Sequence, residues 1–137
     1  MPLTATALVF IGGGTGAALR YGLVRVGETA FGTAFPYGVF VANIAGSFLM
    51  GVLAGWLIER GGGFGPFLDM EGHDAARAAL ATGLLGGFTT FSAFSLDAVR
   101  LWETGAHALA AFYVVASVAL ALIALIVGIS VARGLFA

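Results

Sequence analysis

Four stretches of this sequence, residues 1–19, 29–58, 78–96 and 104–132, contain no Asp, Glu, Lys or Arg. A helix that crosses the hydrocarbon core of a bilayer needs about 20 consecutive, mostly apolar residues. Each stretch is long enough to supply one. The chain as a whole is 60% hydrophobic and 9% charged with a mean hydropathy of +1.03, whereas soluble domains are about 25% charged. The expected fold is an all-α integral membrane domain of four transmembrane helices, with residues 1–137 forming a single unit.

No Lys or Arg precedes the first apolar stretch and further spans follow it, so it is read as a retained helix and not as a signal peptide. The sequence holds no cysteine, which excludes a disulfide framework and thiol chemistry. A net charge of −1 with no basic stripe gives nucleic acid nothing to bind. All six cationic residues are arginines: Arg20, Arg25, Arg60, Arg77, Arg100 and Arg133. Four spans divide them equally between the two sides of the membrane, so the positive-inside rule sets no orientation. Copies inserted both ways can pair about a two-fold axis in the membrane plane. An antiparallel homodimer is therefore expected, against the alternative that lipid composition or the free N-terminal amine fixes one orientation.

Span one is expected over about residues 3–21, with Gly12 and Gly16 on one helix face; small residues so placed let backbones approach closely. Residues 22–35 read as a loop, and Pro36 suits the first turn of span two. That span runs to about Ile58, with Gly51 and Gly55 as a second close-packing face. The polar, Gly- and Pro-rich stretch 59–77 reads as a loop, His73 as a surface residue and Asp74 as a cap for span three. Span three covers about 75–102 and span four about 106–133, with His107 near its start.

Span three carries the main irregularity: Gly86-Gly87-Phe88-Thr89-Thr90-Phe91-Ser92-Ala93-Phe94-Ser95. An anchoring helix has no use for a glycine pair followed by a hydroxyl cluster. A helix break at membrane depth survives only where protein or a water-filled cavity covers its unpaired backbone groups. If Gly86 and Gly87 end one half-helix and Thr89 or Thr90 begins the next, the break presents carbonyls for a cation and N–H groups for an anion back to back. In an antiparallel dimer two such breaks meet at the axis and their carbonyls can enclose one small cation. The competing reading is a kinked helix with simple Ser/Thr back-bonding.

Other polar residues within the spans each have two readings. Asn43 either bonds across a helix interface or donates its amide N–H groups to an anion without trapping it as a charge would. Phe91 and Phe94, three apart on one face, are packing residues or present electropositive ring edges to an anion. Tyr113 and Ser117, four apart, line a polar track or pack helices, with Ala121 next along that face. Arg20 is a snorkelling anchor or a positive pore mouth. Neither His73 nor His107 has partners at ligand spacing, so no transition-metal site is assigned.

The segment from Gly86 to Ser95 resembles the Gly-Gly-x-Thr-Thr-Phe-Ser-Thr-Phe-Ser signature of the fluoride channel family called Fluc or CrcB. The runs from Gly12 to Arg20 and from Gly38 to Phe48 look like that family's first- and second-helix motifs. The resemblance covers essentially the whole chain. It implies a dual-topology homodimer in the cell's inner (plasma) membrane, with two fluoride pores and a central structural sodium ion. By position, Gly86 and Thr89 would offer backbone carbonyls to sodium. Asn43, Phe91, Phe94, Thr90, Ser92, Tyr113 and Ser117 would belong to the fluoride path, and Arg20 to its mouth. The sequence departs from the family pattern at Val39, Ala93, Asp97 and Ala121.

A passive fluoride channel is therefore the expected function. A small multidrug-type transporter would need a membrane-embedded carboxylate, and span one has none; Asp97 and Glu103 lie at the far end of span three. A scaffold subunit would leave the break and Asn43 without a task. An enzyme is not expected, since no nucleophile with a base and no paired carboxylates stand together.

Overall fold

The computed structural model describes residues 3–61 and 75–136. Within them the chain forms α1 (Leu3–Phe31), α2 (Tyr37–Gly61), α3 (Ala75–Arg77), a π-helical segment π1 (Ala78–Leu85), α4 (Gly86–Phe88), α5 (Phe91–Glu103) and α6 (His107–Phe136). Four helical stretches are long and apolar enough to cross a membrane: Leu3–Phe31, Tyr37–Arg60, Ala75–Glu103 and His107–Phe136. The expected cap at Asp74, the surface site at His73 and most of the stretch 59–77 lie outside the described residues.

α1 runs well past the expected end near Tyr21, to Phe31. Gly22 does not stop it, because no proline follows and the next two turns make their own support. Arg25 and Glu28 pair at 2.9 Å across one turn, and the Thr29 hydroxyl bonds back to the Arg25 and Val26 carbonyls. Gly32, at φ +79°, ends the helix and donates its N–H to the Glu28 carbonyl. Arg20 consequently lies inside the helix and not at its end.

The turn between α5 and α6 closes by a Schellman motif. Gly105, at φ +81°, donates to the Trp102 carbonyl and Ala106 to the Leu101 carbonyl. Both carbonyls would otherwise be orphans of the helix end. The reversal brings Leu101, Ala110 and Tyr113 into one buried cluster with Val39 of α2 and Phe94.

Glycine brings the long helices together at backbone distance. A side chain at Gly51 would collide with the Leu125 carbonyl, and one at Gly128 with the Phe48 carbonyl. At Gly55 an added Cβ would stand 2.7 Å from that of Ala132. On the other side of the molecule Gly12 faces the Ala79 carbonyl, and Gly16 the Leu84 carbonyl. Lipid supplies no hydrophobic drive between apolar helices, so such close van der Waals packing carries association. Gly128→Val should therefore lower the thermal unfolding midpoint of the purified protein by the equivalent of about 1–3 kcal/mol, the cost of overpacking. Gly22→Ala, with nothing within 4 Å of its added Cβ, should leave it unchanged or raise it.

Candidate functional site: the Thr89–Thr90 interruption and its two cavities

Helical backbone stops at Phe88 and resumes at Phe91, with two extended residues between: Thr89 at φ −85°, ψ 153° and Thr90 at φ −154°, ψ 121°. β-branched residues accept that conformation readily. Thr89 closes the first segment, its N–H and its hydroxyl both donating to the Leu85 carbonyl at 3.0 Å. Thr90 opens the second as an N-cap, its hydroxyl accepting the Ala93 N–H at 3.3 Å. The same hydroxyl meets that of exposed Ser92 at 3.2 Å.

Asn43 of α2 holds the interruption. Its Oδ1 accepts the Thr90 N–H at 2.8 Å, and its Nδ2 donates to the Thr90 carbonyl at 3.2 Å. The two bonds fix the amide orientation, because only Oδ1 can receive an N–H. They also divert the Thr90 N–H from the Gly86 carbonyl, its partner in an uninterrupted helix. One turn along α2, Gly46 makes room for the Thr89 methyl, which an added Cβ would strike.

A cavity of about 300 Å³ opens beside this bridge. Asn43, Thr89, Thr90, Phe91, Phe94 and Ser117 line it, with Gly46, Ser47 and Met50 of α2 and Val118, Ala121 and Leu125 of α6. No charged side chain does. Phe91 and Phe94 stand with ring centroids 5.4 Å apart and planes tilted by 44°; Phe94 is 8% exposed and Phe91 78%. Ser47 was not singled out in the sequence, although its place four residues after Asn43 puts it on the same face.

Tyr113 lines neither this cavity nor the next. It is fully buried, edge-on to Phe35 at 5.5 Å and tilted against Phe94 at 5.3 Å. Among the described residues neither its hydroxyl nor that of buried Ser117 has a hydrogen-bond partner of ordinary length, while the Asp97 carboxylate interacts with the Tyr113 hydroxyl at longer range. Weakly partnered hydroxyls one helical turn apart are costly in a buried site. They sit along the expected polar face of α6.

A second cavity, of about 240 Å³, lies beyond the cluster of Val39, Phe94 and Tyr113. Arg20, Glu28, Asp97 and Arg100 line it, together with Phe35, Tyr37, Val39 and Ala93. Three of the four departures from the family pattern, Val39, Ala93 and Asp97, thus share this wall, while Ala121 lies on the first cavity. Arg100 donates to the Thr33 carbonyl at 3.3 Å, tying α5 to the α1–α2 connection. Arg20 reaches the other way: its Nε donates to the Gly87 carbonyl at 3.5 Å. Glu28 and Arg100 of this cavity are legible only once α1 is known to run on past Tyr21.

Among the described residues no group of three or more His, Cys, Asp or Glu side chains is placed to hold a metal ion. The oxygens at the interruption are backbone carbonyls and the hydroxyls of Thr89, Thr90 and Ser92. Gly86 is exposed and its carbonyl lacks the Thr90 N–H. Neutral oxygens of this kind suit a small hard cation.

A family model described as "CrcB-like protein, Camphor Resistance (CrcB)" matches residues 7–129. The chain is 45% identical over 128 residues to the fluoride-specific ion channel FluC 2 of Nitrobacter hamburgensis, spanning 93% of this chain and 96% of that protein. It is 47% identical over 128 residues to the fluoride-specific ion channel FluC of Rhodopseudomonas palustris, with the same coverage. A protein so named from Cereibacter sphaeroides is 50% identical over 127 residues, 92% of each chain. The match takes in all three glycine-bearing motifs, the interruption at Thr89 and Thr90 and both cavities, and the chain belongs to the CrcB family.

Proposed function

We propose that this chain is a passive, fluoride-selective channel of the cell's inner (plasma) membrane, working as an antiparallel homodimer with two pores and a central structural sodium ion. The observation that carries the reading is the first cavity: neutral donors and two phenylalanines gathered at a helix interruption, in a chain whose relatives are named fluoride-specific ion channels. Fluoride enters a cell as neutral HF, ionises at cytoplasmic pH and is trapped. A negative interior favours its exit by about 2.3 kcal/mol per 100 mV. A pore is sufficient for that task.

Selectivity then rests on replacing a tightly held hydration shell by weak contacts in series. Asn43 has a second Nδ2 hydrogen beyond the one given to Thr90. Thr90, Ser92 and Ser117 offer hydroxyls, Tyr113 continues the track from Ser117, and the rings of Phe91 and Phe94 offer electropositive edges. None of these is a fixed charge, so none holds the anion tightly. Arg20 and Arg100 give the second cavity a positive component at the mouth of the path, balanced by Asp97 and Glu28.

The dimer accounts for the exposure of Phe91, whose ring at 78% exposure stands beside an uncharged cavity that a second copy would cover. Equal arginine numbers on the two sides support opposed insertion. Sodium suits the interruption because the Gly86 carbonyl has lost its amide partner and Thr89 lies in extended backbone beside it. Those two carbonyls, repeated across the axis, would hold the ion and pin the two interruptions together.

Proteoliposomes loaded with fluoride test the function directly: rapid efflux seen by a fluoride electrode is expected, and absence of flux or equal chloride flux would sink it. Phe94→Ile and Phe91→Ile should each lower flux at least tenfold while the dimer persists on size-exclusion chromatography. Unchanged flux would return both rings to packing. Asn43→Ala should leave the Thr90 N–H and carbonyl unpaired, costing about 1–3 kcal/mol of stability and abolishing flux. Asn43→Asp keeps the acceptor for Thr90 but adds a negative charge, so it should retain more stability than alanine and still fail to conduct.

A further inference from the structure

The Arg20 side chain is spent on an unusual partner. Its Nε points at the Gly87 carbonyl, in the last turn of helical backbone before the interruption. Among the described residues it makes no ion pair, although Asp97 and Glu28 line the same cavity. The end of a helix concentrates partial negative charge on its unpaired carbonyls. Arg20 therefore places a full positive charge against the same group of carbonyls that Gly86 and Thr89 contribute to the proposed sodium site. α1 carries it there because Gly16, one turn earlier, lies against the Leu84 carbonyl and the Phe88 N–H.

We propose that Arg20 is a positioning residue that sets the affinity and valence preference of the cation site: its fixed charge weakens monovalent binding and rejects divalent cations. The inference rests on the sodium reading above. Coulomb energy is linear in the charge of the ion. Whatever factor Arg20 imposes on Na⁺, it imposes the square of that factor on Ca²⁺. A unit charge about 12 Å from the ion at an effective dielectric of about 20 changes monovalent binding about tenfold, a closer charge changes it more, and in the dimer two copies of Arg20 act on the one ion. Neutralising Arg20 should then strengthen Na⁺ binding at least about tenfold and Ca²⁺ binding at least about a hundredfold.

The readout is thermal unfolding of the purified dimer against NaCl or CaCl₂, with ionic strength held constant by N-methylglucamine chloride. It involves no fluoride flux. Wild-type protein should be stabilised by Na⁺ and not by Ca²⁺ at the same concentrations. Arg20→Gln and Arg20→Met, two neutral replacements of which either suffices, should move the Na⁺ midpoint at least about tenfold lower and bring a Ca²⁺ response into range. Arg20→Lys keeps the charge without the guanidinium fork and should stay within about twofold of wild type. Equal shifts in the lysine and neutral variants would assign Arg20 to packing and overturn the proposal, as would an unmoved Na⁺ midpoint in the neutral variants. Wild-type stability indifferent to Na⁺ would remove the cation site itself, and this inference with it.

Discussion

Two hydrogen bonds made by one side chain hold the helix interruption in place. Asn43 accepts the Thr90 N–H and donates to the Thr90 carbonyl, presenting to the backbone what a neighbouring strand residue would present. In hydrocarbon the cost of an interrupted helix is the orphaned amide and carbonyl. A carboxamide, with a donor and an acceptor side by side, satisfies both at once. Because the N–H of Thr90 donates to Asn43 of α2, the Gly86 carbonyl is released. Because the hydroxyl of Thr90 caps α5, the new helix begins without further help. Cavity, cap and free carbonyl all follow from where that amide sits.

No charged side chain lines the cavity beside Asn43; those of Arg20, Glu28, Asp97 and Arg100 line the second cavity, from which Arg20 reaches back to the Gly87 carbonyl. An uncharged, mostly apolar pocket with an amide and a few hydroxyls, beside a cavity whose charges balance, differs from a binding protein's anion site, where a facing Arg or Lys pair would hold the ligand fast. Val39 and Ala93 make the inner wall of the charged chamber more apolar than hydroxyl residues would.

Much of this was legible in the sequence. The four apolar stretches have the length of spans, and the paired hydroxyls after Gly86-Gly87 mark the interruption because threonine accepts both extended backbone and the capping position. Asn43 stood out as an amide within a span, and Gly51 and Gly55 as a packing face. Other features were hidden for physical reasons. Gly22 looks like a terminus, but a glycine inside a helix costs only about 1 kcal/mol, which the Arg25–Glu28 pair and the packing of Gly27 on Gly38 offset. The π-helical turns of Ala78–Leu85 have no local signature, since their widening is set by contact with α1. The partner of Asn43 and the direction of Arg20 depend on which helices become neighbours, and residues 47 and 67 positions apart in the chain cannot announce that they touch.

The glycine contacts between α2 and α6, and between α1 and π1, carry a consequence for how such a molecule works. Where a carbonyl lies directly against a facing α-carbon, no layer of side chains remains to slide or repack. Such a seam either holds or opens entirely. Helices joined this way make poor moving parts for an alternating-access cycle, which needs one bundle to rock against another. What can still move is a ring such as Phe91, at the edge of the cavity and largely exposed in the protomer. Rotamer changes of that kind take picoseconds to nanoseconds. The scaffold is thus built as a stiff frame around a few quick side chains, an arrangement suited to letting ions past and unsuited to carrying them.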